Sequence, residues 1–169
     1  DTSAITEAGQ FINIKLEGLY LRRPISVCDV EDKVLTIIYK VVGKGTEQMS
    51  KMTDGKLDVL CGLGNGFDTV KCGEKTVLIG GGVGVPPMYN LCKKLISECK
   101  NATVILGFNK KDEIFYEEEF KNLNLSIVWE RNLSSGSEVL DIESKTLFFV
   151  FPLRKHPRNI ELRNHKFLD

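Results

Sequence analysis

Hydrophobic and polar residues follow different patterns in the two halves of the chain. Up to about Val70, apolar residues come in short and often alternating runs, which predict β-strands. These runs are QFINIKL, PISVCDV, KVLTIIYKVV and LDVLCGL. A short helix in TEQMSKM, opened by Thr46, interrupts them. The pattern therefore predicts a mainly β domain over residues 1–70.

From about Thr76 the pattern alternates between buried strands and amphipathic helices. The strands are TVLIG, TVILGF, LSIVWE and TLFFVF, and the helices are PPMYNLCKKLISECK and DEIFYEEEFKNL, the second with Asp112 as its expected cap. Strands and helices in this order predict a parallel sheet with crossover helices. The polar segment TVKCGEK separates this second domain, residues 76–169, from the first.

Composition argues against several classes of protein. The 169 residues carry a formal net charge of zero, which argues against a nucleic-acid partner. No apolar run reaches the roughly 20 residues of a membrane-spanning helix, so no membrane partner is expected either. The five cysteines form no C-x-x-C pair and no cluster with histidine. We therefore expect free thiols, a cytoplasmic setting and no metal site.

The segment LIGGGVGVPP, residues 78–87, has four glycines within five positions. It stands between a predicted strand and a predicted helix, the context in which a glycine loop binds a nucleotide. Gly82 and Gly84 form a G-x-G pair, and Pro87 replaces the third glycine of the usual fingerprint. Backbone N–H groups at the start of the helix would bind phosphate. The alternative is a tight turn between strand and helix that binds no ligand.

Three further segments strengthen this signal when they are taken in order. Singly, RRPIS, the pair Gly45 and Thr46, and GLGNGF are more simply a surface arginine pair, a helix cap and a turn. The ordered set RRPIS, IYKVVGKGT, GLGNGF, LIGGGVGVPPMYNL and GFNKKDEIFYEEEF resembles the ferredoxin–NADP reductase superfamily. Within it, the set is most similar to the electron-transfer subunits of two-component bacterial dihydroorotate dehydrogenases. The resemblance covers about residues 9–120.

The resemblance implies a fold and two cofactor sites. Residues 1–70 would be an antiparallel FAD-binding barrel without its first strands, and residues 76–169 a Rossmann-like NAD-binding domain with a parallel sheet. The FAD-binding residues it implies are Arg23, Pro24, Ile25, Ser26, Ile38, Tyr39, Lys40, Gly45 and Thr46. The nicotinamide nucleotide would bind at Gly80, Gly81, Gly82, Gly84 and Pro86. The resemblance favours NAD, while Lys110 and Lys111 after the second strand keep NADP open.

The resemblance also implies a function. The chain would pass electrons between a nicotinamide nucleotide and a redox partner through FAD, and the partner would be a catalytic FMN-containing dehydrogenase subunit of pyrimidine biosynthesis. The flavin does the redox chemistry, so no side chain is assigned a catalytic role. Two alternatives stay open: a catalytically silent nucleotide-binding or interaction module on the same scaffold, and a stand-alone NAD(P)H–flavin diaphorase.

The chain departs from the superfamily in several places. No cysteine follows Cys99, so the 2Fe-2S cluster that the related subunits hold near their C-terminus is not expected in this chain. Val150 and Phe151 stand where a Cys-Gly pair is usual, and the basic tail beyond Pro152 does not resemble the family. Gly62 replaces a proline.

Overall fold

The computed structural model describes residues 2–73, 76–108, 111–131, 146–150 and 165–167. Within these residues the strands are β1 (Phe11–Lys15), β2 (Arg23–Glu31), β3 (Val34–Ile37), β4 (Asp58–Leu63), β5 (Thr76–Gly81), β6 (Ala102–Phe108), β7 (Ser126–Arg131), β8 (Thr146–Val150) and β9 (His165–Phe167). The α-helices described are α1 (Lys44–Ser50), α2 (Val85–Ser97) and α3 (Glu117–Lys121). None of the helices described is long and apolar enough to cross a membrane.

The chain divides into two compact units, Asp1–Phe67 with Lys155–Asp169, and Asp68–Arg154. The first unit contains an antiparallel sheet and the second a parallel sheet with helices, so the fold class expected from the sequence is confirmed. The functional division into an FAD domain, residues 1–70, and an NAD domain, residues 76–169, stays a prediction.

The first unit has its core on one face of an antiparallel sheet. In the part of the chain that is described, the strand order is β4-β1-β2-β3-β9. Along β1, Ile12 and Ile14 are buried, whereas Lys15 is exposed, so alternate residues face the core. Helix α1 adds Met49 to the same apolar cluster. This packing places α1 over the core face of the sheet.

The second unit has a parallel sheet whose described strands follow the order β7-β6-β5-β8. Strand β5 is buried along its whole length, and it pairs with β6 on one side and β8 on the other. The strand order therefore reverses at β5. Ligands of open α/β sheets bind at such a switch point, outside the carboxyl ends of the strands. The segment that leaves β5 at this end is the glycine loop, and α2 follows it directly.

The sequence predicted one helix over DEIFYEEEFKNL, and the predicted length is wrong. Residues Lys111–Glu113 form a 3-10 turn, and α3 begins only at Glu117. The residue before α3 is Tyr116, which has a left-handed conformation with φ 60°, so Asp112 is not the cap. The Tyr116 ring packs edge-on against Tyr89 of α2, with 5.0 Å between their centres. This tertiary contact accompanies the break in the helical pattern.

Strand β3 is also shorter than the run KVLTIIYKVV suggested. It ends at Ile37, and the next three residues form neither strand nor helix. Ile38 and Tyr39 are both buried, so consecutive side chains leave the alternation that a strand requires.

Candidate functional site

The glycine loop of the second unit needs its glycines for two different reasons. A Cβ atom placed on Gly80 would lie 2.8 Å from Cγ of Met88 and 3.1 Å from the carbonyl oxygen of Gly84, so Gly80 lets β5 and α2 approach closely. Gly82 has φ 52°, a left-handed conformation that residues with a side chain rarely adopt. Gly84 has φ −85° and is buried, so its backbone conformation alone does not require glycine.

The first turn of α2 offers few donors to an anion. The N–H group of Val85 already donates to the carbonyl oxygen of Gly82. Pro86 and Pro87 have no backbone N–H group. A phosphate bound at this loop would therefore depend on the N–H groups that precede Val85, in the Gly82–Gly84 turn, rather than on the helix proper.

Aromatic side chains hold the neighbouring β6–α3 connection against α2. Tyr89, in the first half of α2, contacts Phe120 with 5.3 Å between ring centres, in addition to Tyr116. Trp129 of β7 stacks on Phe108, with 6.0 Å between ring centres, so its side chain serves packing. The local hydrophobic pattern did not reveal this cluster, because its members come from four different elements.

In the first unit the structure brings two of the predicted flavin residues together. A Cβ atom placed on Gly45 would lie 2.7 Å from Cζ and 2.8 Å from Nη2 of Arg23, and closer still to Nε. The guanidinium group of Arg23 therefore lies directly over the first turn of α1, and only glycine at position 45 leaves room for it. Arg23 also donates a hydrogen bond from Nη1 to the carbonyl oxygen of Leu21. The arginine is half-buried, so part of the cation stays accessible to an anion.

Thr46 has a structural task in this loop. Its hydroxyl accepts hydrogen bonds from the N–H groups of Val42 (2.9 Å) and Gly43 (3.2 Å) and donates to the carbonyl oxygen of Gly43 (3.1 Å). These bonds hold the turn that leads into α1. Thr46 thus shapes the surroundings of Gly45 with a hydroxyl that is already engaged.

The other predicted flavin residues are spread over two faces. Ile25 of β2 pairs with Ile12 of β1 and packs on the core, whereas Pro24 and Ser26 lie on the opposite face of β2. Ile38, Tyr39 and Lys40 come directly after β3; the first two are buried, and Lys40 is half-buried. These assignments stay predictions.

The second glycine loop, GLGNGF, is explained by packing. Gly62, Gly64 and Gly66 all have positive φ, of 67°, 84° and 71°. A Cβ atom on Gly66 would lie 2.5 Å from Cβ of Glu7, so the N-terminal segment packs against this loop. The buried amide of Gln10 joins the two, because its Nε2 donates to the carbonyl oxygens of Gly62 and Gly64 while its Oε1 accepts from Thr6 and Glu7. For this loop, the structure supports the interpretation as a turn.

Charged residues anchor the start of the second unit to the end of α2. The Nζ atom of Lys100 donates to the carbonyl oxygen of Thr69 at 2.8 Å and to Oε2 of Glu98 at 2.7 Å. The Thr69 hydroxyl donates to the other carboxylate oxygen of Glu98 at 2.9 Å. The hydrogen bond from Lys100 and then that from Thr69 hold the pKa of Glu98 below its usual value. This anchor was not visible in the sequence pattern.

Some of the predicted features lie outside the described residues. They are Lys110, the side chain of Val150, and Phe151, Pro152 and most of the tail beyond them. Lys111, the other residue invoked for NADP, is exposed. Across the described residues, no group of three or more His, Cys, Asp or Glu side chains could hold a metal ion. All five cysteines fall within the described part of the chain, and none of them forms a disulfide bond there.

Comparison with known proteins places a family match in the second unit and finds relatives along most of the chain. Residues 78–128, which contain the glycine loop, β6 and part of β7, match the oxidoreductase NAD-binding domain family. A relative from Fusobacterium nucleatum, named dihydroorotate dehydrogenase B (NAD(+)), electron transfer subunit, is 40% identical over 147 residues, which are 81% of this chain and 57% of the relative. A protein of the same name from Bacillus mycoides is 44% identical over 127 residues, 70% of this chain and 49% of that one.

The resemblance to the ferredoxin–NADP reductase superfamily is confirmed. The chain also superimposes on the solved structure of an NADH-dependent reduced ferredoxin-NADP oxidoreductase with a TM-score of 0.67 and 30% identity, over 79% of this chain and 49% of that one. The structure of phthalate dioxygenase reductase, at 16% identity and a TM-score of 0.64, has a similar fold. The chain spans about half the length of the curated relatives it matches.

Proposed function

We propose that this chain is part of an electron-transfer flavoprotein, which passes electrons between a nicotinamide nucleotide and a redox partner through FAD. The observation that carries the proposal is that one chain holds both an arginine packed over a helix-start glycine and a glycine loop at the switch point of a parallel sheet. Relatives that match 81% and 70% of the chain are named electron-transfer subunits, which supports the same function.

The first unit fits the phosphate-bearing part of FAD. An arginine presents a fork of N–H donors that matches phosphate oxygens, and its interaction with them is charge-assisted. Gly45 keeps this fork close to the start of α1, where backbone N–H groups carry partial positive charge. In the proposal, residues 1–70 therefore bind FAD, with Arg23 and Gly45 at its pyrophosphate.

The second unit fits a dinucleotide. The glycine loop lies at the carboxyl end of β5, where the strand order reverses, and its backbone can approach a pyrophosphate closely. In the proposal, residues 76–169 bind the nicotinamide nucleotide, with NAD favoured by the names of the relatives. Gly80 then also allows the close packing of α2 against β5, while Gly81, Gly82, Gly84 and Pro86 lie beside the nucleotide in the proposal.

The two cofactors supply hydride and single-electron transfer when they are bound. The task of this chain is to bind and orient them. The redox partner we propose is a catalytic FMN-containing dehydrogenase subunit of pyrimidine synthesis, by analogy with the relatives. The absence of disulfide bonds among the five cysteines, all in the described part of the chain, is typical of a reducing compartment, and we propose a cytoplasmic location on that basis.

The flavin assignment is tested by saturating the purified chain with FAD, FMN and riboflavin in turn. FAD should bind most tightly, and denaturation of the complex should release it unchanged. A folded chain that binds no flavin, or that prefers FMN, would contradict the assignment to FAD.

The nucleotide assignment is tested with Gly84→Val. A branched side chain at this buried position would obstruct the pyrophosphate, so NADH affinity should fall by at least tenfold, about 1.4 kcal/mol. FAD affinity should stay at the level of the parent chain. The φ of −85° at Gly84 excludes backbone strain, and the melting temperature of the variant reports any crowding at this buried position. A loop that is only a turn would give a lower melting temperature with unchanged nucleotide affinity.

A further inference from the structure

The two adjacent arginines before β2 have different surroundings. The guanidinium group of Arg22 donates from Nη1 to the carbonyl oxygens of Asn13 and Asp58, both at 3.2 Å, and from Nη2 to Oδ2 of Asp58 at 2.9 Å. It therefore ties the start of β2 to both β1 and β4. Its hydrogen bond is also the main reason why the pKa of Asp58 lies below its usual value. Arg23, in contrast, packs over Gly45.

The strand register explains this difference. Ile14 of β1 pairs with Arg23 of β2 and with Val59 of β4, and Ile14 is fully buried, so this row faces the core. Lys15 pairs with Asp58, and continuing the register by one residue places Arg22 opposite Lys15. Arg22 thus belongs to the outer row with these two charged residues, while the next residue emerges on the face where α1 packs.

Side-chain burial does little to hold the chain just before β2. Tyr20 and Leu21 are exposed at 99% and 67%, so their side chains add almost no burial there. An arginine side chain has many rotamers, and its end is placed well only if the backbone that carries it is fixed. The hydrogen bonds of Arg22 supply that restraint one residue before Arg23.

We propose that Arg22 is a positioning residue for flavin binding, which fixes the start of β2 so that Arg23 presents its guanidinium group to the phosphates of FAD. The inference rests on the proposed role of Arg23 and adds a second arginine that touches no ligand. Its contribution is specific for the phosphate-bearing part of the flavin. If Arg22 only stabilised the fold, its loss would weaken the binding of all parts of the flavin alike.

The experiment compares FAD with riboflavin, which lacks the phosphates. We expect Arg22→Met to weaken FAD binding about tenfold, the equivalent of one net hydrogen bond, and to leave riboflavin binding unchanged. Arg22→Lys keeps the charge but cannot span three acceptors, so its FAD affinity should lie between those of the parent and Arg22→Met. Lys15→Met is the matched control, since it removes a positive charge from the same outer row, and both affinities should stay at parental values.

Equal losses of FAD and riboflavin affinity in Arg22→Met would overturn the inference, as would no loss of either. Arg23→Met separates this failure from a failure of the proposed function. If Arg23→Met weakens FAD selectively and Arg22→Met does not, only the positioning role is wrong. If Arg23→Met leaves the preference for FAD over riboflavin intact, the phosphate site itself is wrong, and the positioning role is wrong with it. Melting temperatures of all variants verify that each is folded.

Discussion

Gly45→Ala should weaken FAD binding without lowering the stability of the protein. The added Cβ would lie 2.7 Å from Cζ and 2.8 Å from Nη2 of Arg23, well inside van der Waals contact, so the guanidinium group must move away. Loss of a charge-assisted hydrogen bond to phosphate costs about 1.5–3 kcal/mol, which corresponds to roughly a 10-fold to 150-fold weaker FAD affinity. Stability should not fall with it, because only the end of a flexible side chain is displaced. Alanine is also about 1 kcal/mol more favourable than glycine within a helix.

Gly43→Ala is the matched control two residues earlier in the same loop. A Cβ atom at Gly43 would meet nothing within 4 Å, and its φ of −171° is extended backbone that any residue adopts. This change weakens the N-cap of α1 by up to about 1 kcal/mol and leaves the guanidinium group of Arg23 in place. Stability should therefore fall slightly while FAD affinity stays constant.

The assay is FAD titration by flavin fluorescence, alongside thermal unfolding, for the parent and both variants. The expected outcome is weaker FAD binding in Gly45→Ala alone, without a lower melting temperature. If Gly45→Ala binds FAD as tightly as the parent, the arginine over the helix start is not a phosphate ligand, and the flavin site has been misplaced.

Three further predictions test the packing of the second unit. The Cβ atom of Gly80→Ala would lie 2.8 Å from Cγ of the buried Met88 and should destabilise the protein by about 1–3 kcal/mol in denaturant unfolding. The double variant with Met88→Ala should lose less stability than the sum of the two single variants. Cys99 has φ 56° just after the end of α2, so Cys99→Gly should raise stability by about 1 kcal/mol in the same assay, and an unchanged midpoint would refute the strain. Burial raises the pKa of Cys92 to about 12, so a thiol reagent at neutral pH should label the exposed Cys99 and spare Cys92 until the protein unfolds, as peptide mass spectrometry would report.

The sequence pattern predicted the order and type of the main elements because the clearest of them bury a continuous apolar face. Strand β5 is buried at every position, and α2 buries Leu91, Cys92 and Leu95 at helical spacing, so both periods are strong. The glycine loop could be located for the same reason, since it lies between two such clear signals.

Features that depend on distant partners could not be predicted. Tyr116 leaves the helical pattern where its ring meets Tyr89 of another helix. The glycines of GLGNGF are needed because the segment around Gln10, more than 50 residues earlier, packs on them. The different roles of Arg22 and Arg23 follow from strand register, which neighbouring residues in the sequence do not determine.

The central claim is that one chain carries electrons from a nicotinamide nucleotide to FAD. It is tested most directly by mixing the FAD-loaded chain with NADH without oxygen and following the visible absorbance of the flavin. The account predicts that NADH bleaches the flavin absorbance. In the Gly84→Val variant, with the same FAD content, this bleaching should be slower than in the parent at subsaturating NADH. Bound FAD that neither NADH nor NADPH reduces would contradict the account and favour a silent binding module on the same scaffold.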